Sequence, residues 1–254
     1  MPPPPPDTVN KPLKRPNPVG GFLRARFSPD GYLGLHLTIG MVVVLLAVFL
    51  FAKIAEDVVT KDPLVLLDAH AMQWLQAHAT AGRTAFFLFV THWHNTLGVL
   101  VMTTLLVMWL AYQRSTEWGT WVLRVLLSVP LGMLLNVLLK SIFQRQRPVF
   151  DQPLVTLLTF SFPSGHTAAA TLFYGVLAAW LMTVLMRRWH APVVVLAAVM
   201  VVLVALSRVY LGAHYPSDVF AAMASSTAWL AIVLTGVSTW RKRQDWLERL
   251  KRQA

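Results

Sequence analysis

Six stretches of the chain are long and apolar enough to cross a membrane, and short polar stretches separate most of them. A membrane-spanning helix needs about 20 mostly apolar residues. Runs of that kind lie near 35–55, 94–112, 119–140, 165–186, 191–209 and 217–239. The third holds Pro130, a kink that a helix bundle tolerates. It also holds Arg124 near one end, where a long side chain can reach towards water. Between the first two runs, Leu64, Leu67, Trp74 and Leu75 alternate with Asp68, Gln73 and Gln76. That pattern predicts an amphipathic helix lying on the membrane surface. His70 and His78 fall on the same stretch and are expected at the interface. The expected fold class is therefore all-α: a six-transmembrane-helix bundle with a surface amphipathic helix between spans one and two.

Composition sharpens this picture. The chain is 56% hydrophobic and only 13% charged, whereas soluble domains carry about a quarter charged residues. There is no cysteine, so thiol catalysis, disulfides and cysteine-ligated metals are excluded. The first 34 residues hold nine of the 16 prolines and no apolar run, which predicts an extended or disordered tail. Three regions are expected: a proline-rich basic tail over 1–34, a membrane domain over 35–239, and a basic tail over 240–254.

Net charge is +11, and its distribution predicts topology. Fourteen Lys and Arg fall on the side of the two termini and seven on the other side. Basic residues collect in cytoplasmic loops, so both termini are expected in the cytoplasm. Trp109, Trp118, Trp121, Trp189 and Trp240 lie near the same inner boundary, as an aromatic belt does. The basic residues flank apolar runs, so no nucleic-acid partner is expected.

With that topology, the ionisable residues at the outer span ends share one surface. "KSIFQRQRP" (140–148) follows span three, "FPSGHT" (162–167) opens span four, and "SRVYLGAHYPSD" (207–218) joins spans five and six. Charges at a membrane span are costly and commonly functional. Lys140 and Arg147 are seven residues apart, so a continuing helix would place them on one face, and Pro148 would stop it. With Arg208 they supply three cations, two of them guanidinium forks suited to phosphate oxygens. Pro163, Ser164 and Gly165 precede an apolar helix whose free N–H groups form an anion site. His166 sits at the edge of that site. Pro216 is expected to open span six, and Asp218 lies four residues after His214, where it can fix the tautomer of the imidazole. "THWHN" (91–95) carries His92 and His94 two residues apart, which is wrong for one helix face, and no carboxylate is near, so no metal site is expected. No cofactor is expected either. The set instead suits metal-free phosphoryl transfer, with histidine as nucleophile, a second histidine as acid, and cations on the transferring group.

Each motif alone has an ordinary structural reading, as an interfacial anchor or a helix start. Together, Lys140 with Arg147-Pro148, "PSGH" at 163–166, and Ser207-Arg208 with His214 and Asp218 resemble the three-part signature of the type 2 phosphatidic acid phosphatase superfamily. That superfamily includes integral-membrane lipid phosphatases and soluble haloperoxidases. The signature covers about 140–218, and the six-span layout extends the resemblance over 35–239. The resemblance implies that Lys140, Arg147 and Arg208 hold phosphate with help from Ser164 and Gly165. It implies that His214 forms a phosphohistidine, that His166 protonates the leaving oxygen, and that Asp218 orients His214.

The expected function is hydrolysis of a lipid phosphate or diphosphate at the periplasmic face of a bacterial inner membrane. Undecaprenyl diphosphate is the first candidate substrate, on the reasoning that Arg145 neutralises a second phosphate. The alternatives are a phosphotransferase that passes the phosphate to a lipid or sugar hydroxyl, and a non-enzymatic lipid transporter. A transporter should carry charges at mid-depth in several spans, whereas here they sit at the span ends apart from Arg124.

Overall fold

The computed structural model describes residues 34–61, 63–150, 154–155, 157 and 159–253. The proline-rich tail expected over 1–34 lies outside them except for Gly34. Eight α-helices follow one another: α1 (Leu35–Thr60), α2 (Pro63–Ala77), α3 (Ala81–Trp93), α4 (Thr96–Gln113), α5 (Trp118–Phe143), α6 (Gly165–Val184), α7 (His190–Tyr210) and α8 (Pro216–Gln253). Six of these, α1 and α4 to α8, have the length and hydropathy of membrane spans. The all-α, six-span expectation therefore holds among the described residues. The spans alternate in direction. The ends near residues 60, 96, 143, 165, 210 and 216 consequently meet at one end of the bundle, where α2 and α3 also lie.

α6 is the axis of the bundle. Half of its most apolar 18-residue window is buried, against 11% for α1, which faces lipid along most of its length. Leu172, Phe173 and Val176 of α6 form the main core with Leu106 and Leu110 of α4 and Trp121, Val125 and Val129 of α5. Lipid solvates Leu as well as a neighbouring helix does, so close backbone approach matters more here than apolar burial. At Gly132 of α5, an added Cβ would lie 2.6 Å from Leu172 Cδ1 and 2.9 Å from Trp229 Cδ1. A side chain there would have to push Leu172 and Trp229 aside. Two residues earlier, Pro130 removes a backbone donor from α5. Trp229 Nε1–H of α8 donates to Leu127 O in the same stretch (3.0 Å), which ties the interrupted turn to its neighbour.

Four details differ from the sequence-based expectation. First, α5 ends at Phe143 instead of continuing to Arg147. Gln144 takes the left-handed conformation (φ 46°, ψ 33°) and its N–H caps Lys140 O. Pro148 also disfavours helix for Arg147 before it. Second, Arg124 does not reach into water. It is buried, with its guanidinium 4.3 Å from the Trp121 ring centroid and a 3.2 Å bond from Nη2 to Ser238 Oγ.

Third, α2 is present but turned. Leu67 and Trp74 point outward (64% and 61% exposed), while Met72 and Asp68 are buried. Met72 packs with Ala205, Val209 and Val219. A second helix, α3, follows it and packs along α7. Tyr210 Oη accepts from Thr80 N–H (3.0 Å) at its start. Fourth, the basic stretch after 239 continues α8 without a break. It contains neither Gly nor Pro, and Asp245 and Glu248 each stand four residues before an arginine, an arrangement that supports helix.

Candidate active site

Three loops converge where α5, α6, α7 and α8 meet. Lys140 in the last turn of α5 donates from Nζ to Phe160 O (2.7 Å). Arg147, on the extended segment after α5, donates from Nε to Thr159 O (2.6 Å) and from Nη2 to Thr159 Oγ1 (2.9 Å). Both cations thus gather around residues 159–161, just ahead of α6. Ser161 N–H is bonded to Arg145 O (2.8 Å), which joins the two segments. After α7, Gly212 adopts a positive φ of 72°, a conformation that costs glycine little. The turn brings Ala213 N–H and His214 N–H back to Arg208 O (3.0 and 3.3 Å), and α8 begins at Pro216 as expected.

His214 is almost fully buried (1% exposed). Its Nδ1 lies 3.4 Å from both Asp218 Oδ2 and Ser161 Oγ. Its Nε2 lies 3.3 Å from Arg147 Nη1. An arginine can only donate, so Nε2 carries the lone pair and Nδ1 carries the proton that points towards Asp218. Burial pushes the pKa of His214 down to about 3, against the opposing pull of the Asp218 carboxylate. The imidazole is therefore neutral, with a nucleophilic nitrogen facing Arg147. Burial also lowers Arg147, which nevertheless stays protonated because arginine titrates far above neutrality.

Asp218 is held on every side. Oδ2 accepts from Ser161 Oγ and from Tyr215 N–H (2.9 Å). Oδ1 accepts from Arg145 Nη1 (2.7 Å). Arg145 also donates to Ser217 Oγ (2.7 Å) and, from Nη2, to Asp68 Oδ2 (2.8 Å). Asp68 in turn accepts from Ser217 N–H (2.9 Å) and from Ser217 Oγ. The Arg145 guanidinium lies 4.1 Å from the Tyr215 ring centroid. Burial opposes its charge, but Asp218 and Asp68 outweigh burial and raise its pKa. Asp68 and Asp218 are thereby both bonded to Arg145.

Next to this network is a cavity of about 220 Å³, whose lining includes Lys140, Arg147, Gly165, His166, His214 and Asn136. Five of the eight expected site residues therefore share one space. Asp218 stands behind His214. Ser164 is fully buried at the N-cap of α6; its N–H is taken by Asp218 O (3.1 Å) and its Oγ accepts from Thr167 Oγ1 (3.0 Å). Arg208 is 2% exposed, bonded to Thr91 Oγ1 of α3, and its Nε has no partner among the described residues. Both flank the cavity wall instead of lining it.

Sequence reasoning missed Ser161, Asp68, Thr91 and Asn136, and gave Arg145 a different task. Ser161 and Thr91 are common residue types beside motifs and carry no pattern of their own. Asp68 and Asn136 resemble ordinary polar helix positions until tertiary contacts bury them. Asn136 stands one turn before Lys140, and its Nδ2 is buried without a partner among the described residues. His94 also lines the cavity, where its Nδ1–H donates to Val90 O (2.8 Å) and its Nε2 accepts from Tyr174 Oη (2.8 Å).

A neutral histidine backed by a carboxylate, sharing a cavity with cations and a second histidine at the end of a membrane bundle, has the groups that phosphoryl transfer requires. The chain carries a PAP2 superfamily domain, whose family model matches residues 121–242. Phosphatidylglycerophosphatase B of Bacillus subtilis (strain 168) is 37% identical over 132 residues, 51% of this chain and 63% of that protein. The match thus spans less than two thirds of that relative's length. Among solved structures, the transmembrane PAP2 type phosphatidylglycerolphosphate phosphatase from Bacillus subtilis superposes with a TM-score of 0.64 at 26% identity. That match covers 77% of this chain and 94% of the other. Aquifex aeolicus LpxE shares the fold at 23% identity and a TM-score of 0.53, covering 66% of this chain and 94% of its own.

Proposed function

We propose that this protein is a lipid phosphate phosphatase that works through a phosphohistidine without a metal ion. The observation that supports this most is His214, with Nδ1 towards Asp218 and Nε2 towards Arg147 at the wall of the cavity. In the proposed reaction, the Nε2 lone pair forms the N–P bond as the P–O bond to the lipid breaks. The leaving oxygen takes its proton from His166. His166 then accepts a proton from water, whose oxygen forms a P–O bond as the N–P bond breaks. Phosphate leaves and His214 is restored. Lys140 and Arg147 balance the charge of the transferring group, and such preorganised charge is commonly the largest catalytic contribution. Arg208 adds positive charge from behind the wall.

The structure changes the substrate argument. Arg145 is committed to Asp68 and Asp218, so it gives no support for a second phosphate. The names of two relatives favour a phosphate monoester on a glycerophospholipid, and we place phosphatidylglycerophosphate ahead of undecaprenyl diphosphate. We also place the site on the periplasmic side of a bacterial inner membrane, because basic residues crowd the opposite end.

The test is phosphate release by purified protein in mixed micelles, with phosphatidylglycerophosphate, phosphatidic acid and undecaprenyl diphosphate as substrates. Activity on a lipid monophosphate that survives EDTA and is inhibited by vanadate is expected. Activity lost on chelation and restored by magnesium overturns the mechanism. For orientation, a reporter active only in the periplasm should be active when fused after Phe150 and silent after Trp189.

A further inference from the structure

Asp68 belongs to none of the three motifs and lies on α2, outside the spans, yet it is 1% exposed and touches the network that holds the nucleophile. Asp68, Arg145 and Asp218 together carry two negative charges and one positive. The pairings are short, 2.8 Å for Arg145 with Asp68 and 2.7 Å for Arg145 with Asp218. One negative charge is therefore left over, and Asp218 Oδ2 presents it to His214 Nδ1. When Nε2 bonds to phosphorus with Nδ1 still protonated, the imidazole ring becomes cationic. The surplus charge of the cluster matches the charge that appears on the ring.

We propose that Asp68 is a positioning residue for catalysis: it neutralises Arg145 so that the full charge of Asp218 remains available to His214. Without Asp68, the same Arg145 would be balanced by Asp218 alone, and the cluster behind the nucleophile would be neutral. Asp68 also holds the first turn of α8 through Ser217 N–H and Oγ, so the surface helix α2 and the nucleophile's carboxylate are joined by one residue. This inference rests on the phosphatase reading above.

A purely structural anchor and a charge-setting residue predict different results in a double-mutant comparison. The Asp68→Asn variant keeps the shape and loses the charge. It should lower kcat on a lipid monophosphate by about tenfold or more, with KM little changed. Inorganic phosphate should inhibit it as it does the unmodified protein, because the cations at the cavity are untouched. The double variant Asp68→Asn with Arg145→Gln restores one net negative charge and should recover activity several-fold over Asp68→Asn alone.

The inference is overturned if Asp68→Asn retains full kcat. It is equally overturned if the double variant is no better than the single one, or if phosphate inhibition is lost along with turnover. A wild-type protein inactive on every lipid phosphate and on p-nitrophenyl phosphate would instead refute the phosphatase reading, and this inference with it.

Discussion

Each end of the bundle carries an arginine–carboxylate pairing, buried at one end and exposed at the other. At the site end, Arg145 bridges two buried carboxylates at 2.7 and 2.8 Å. At the other end, Arg241 lies 3.5 Å from Glu117, with side chains 30% and 54% exposed. An exposed pair in a high dielectric adds little to stability. A buried pair costs several kcal/mol of desolvation per ion and persists only inside a complete hydrogen-bond network. What sets the candidate site apart is a buried arginine bonded to two buried carboxylates, whereas the buried Arg124 near the other end has Trp121 and Ser238 as its partners. Charge at the terminal end supports the proposed orientation, whereas at the site end Asp68 and Asp218 are both bonded to Arg145 behind His214.

The largest effect expected is at the nucleophile. His214→Ala should lower turnover on any phosphate ester by about 10⁴-fold or more and abolish acid-quenched phosphoenzyme, because it removes the proposed nucleophile. A phosphoenzyme trapped in this variant would move the nucleophile elsewhere.

Next in size is a difference between substrates. A p-nitrophenolate leaves without a proton, and a lipid alkoxide does not. His166→Ala should therefore lose more activity on the lipid, by a margin within the 10²–10⁴-fold that acid catalysis typically contributes, about 10²-fold at least. Equal losses on both substrates, measured in single turnovers, would remove the acid role.

A smaller effect follows from the burial of His214. Its pKa is lowered to about 3 from 6.5, so the folded protein binds this proton less readily than the unfolded chain. Its contribution to stability is complete above pH 6.5 and is lost as pH falls towards 3. The midpoint of thermal unfolding in detergent should thus fall between pH 6.5 and 4.5, and fall less in His214→Gln. Identical slopes would show that His214 titrates normally in the folded state.

The smallest effect is expected at the terminal end. Glu117→Gln breaks the exposed pair with Arg241 and should change stability by no more than about 0.5 kcal/mol, with turnover unchanged. A loss comparable to that of a site variant would remove the distinction between the two ends.

What rests on local composition and short spacing was legible along the chain. Six apolar runs satisfied the length needed to cross a bilayer, and their ends fell within a few residues of the helices at most boundaries. His214 and Asp218 straddle the start of one helix, and Ser164 and Gly165 open another, so their placement followed from neighbours in the chain. Lys140 and Arg147 came together as well, though by an extended segment instead of the expected continuous helix. The facing of α2, the burial of Arg124 and the pairing of Arg145 with Asp68, 77 residues away, became visible once the helices were packed together. A polar residue on an amphipathic pattern is ambiguous, because facing water and facing a buried partner both satisfy its hydrogen bonds. Which one occurs depends on groups that other helices bring to it, and those lie beyond any local pattern.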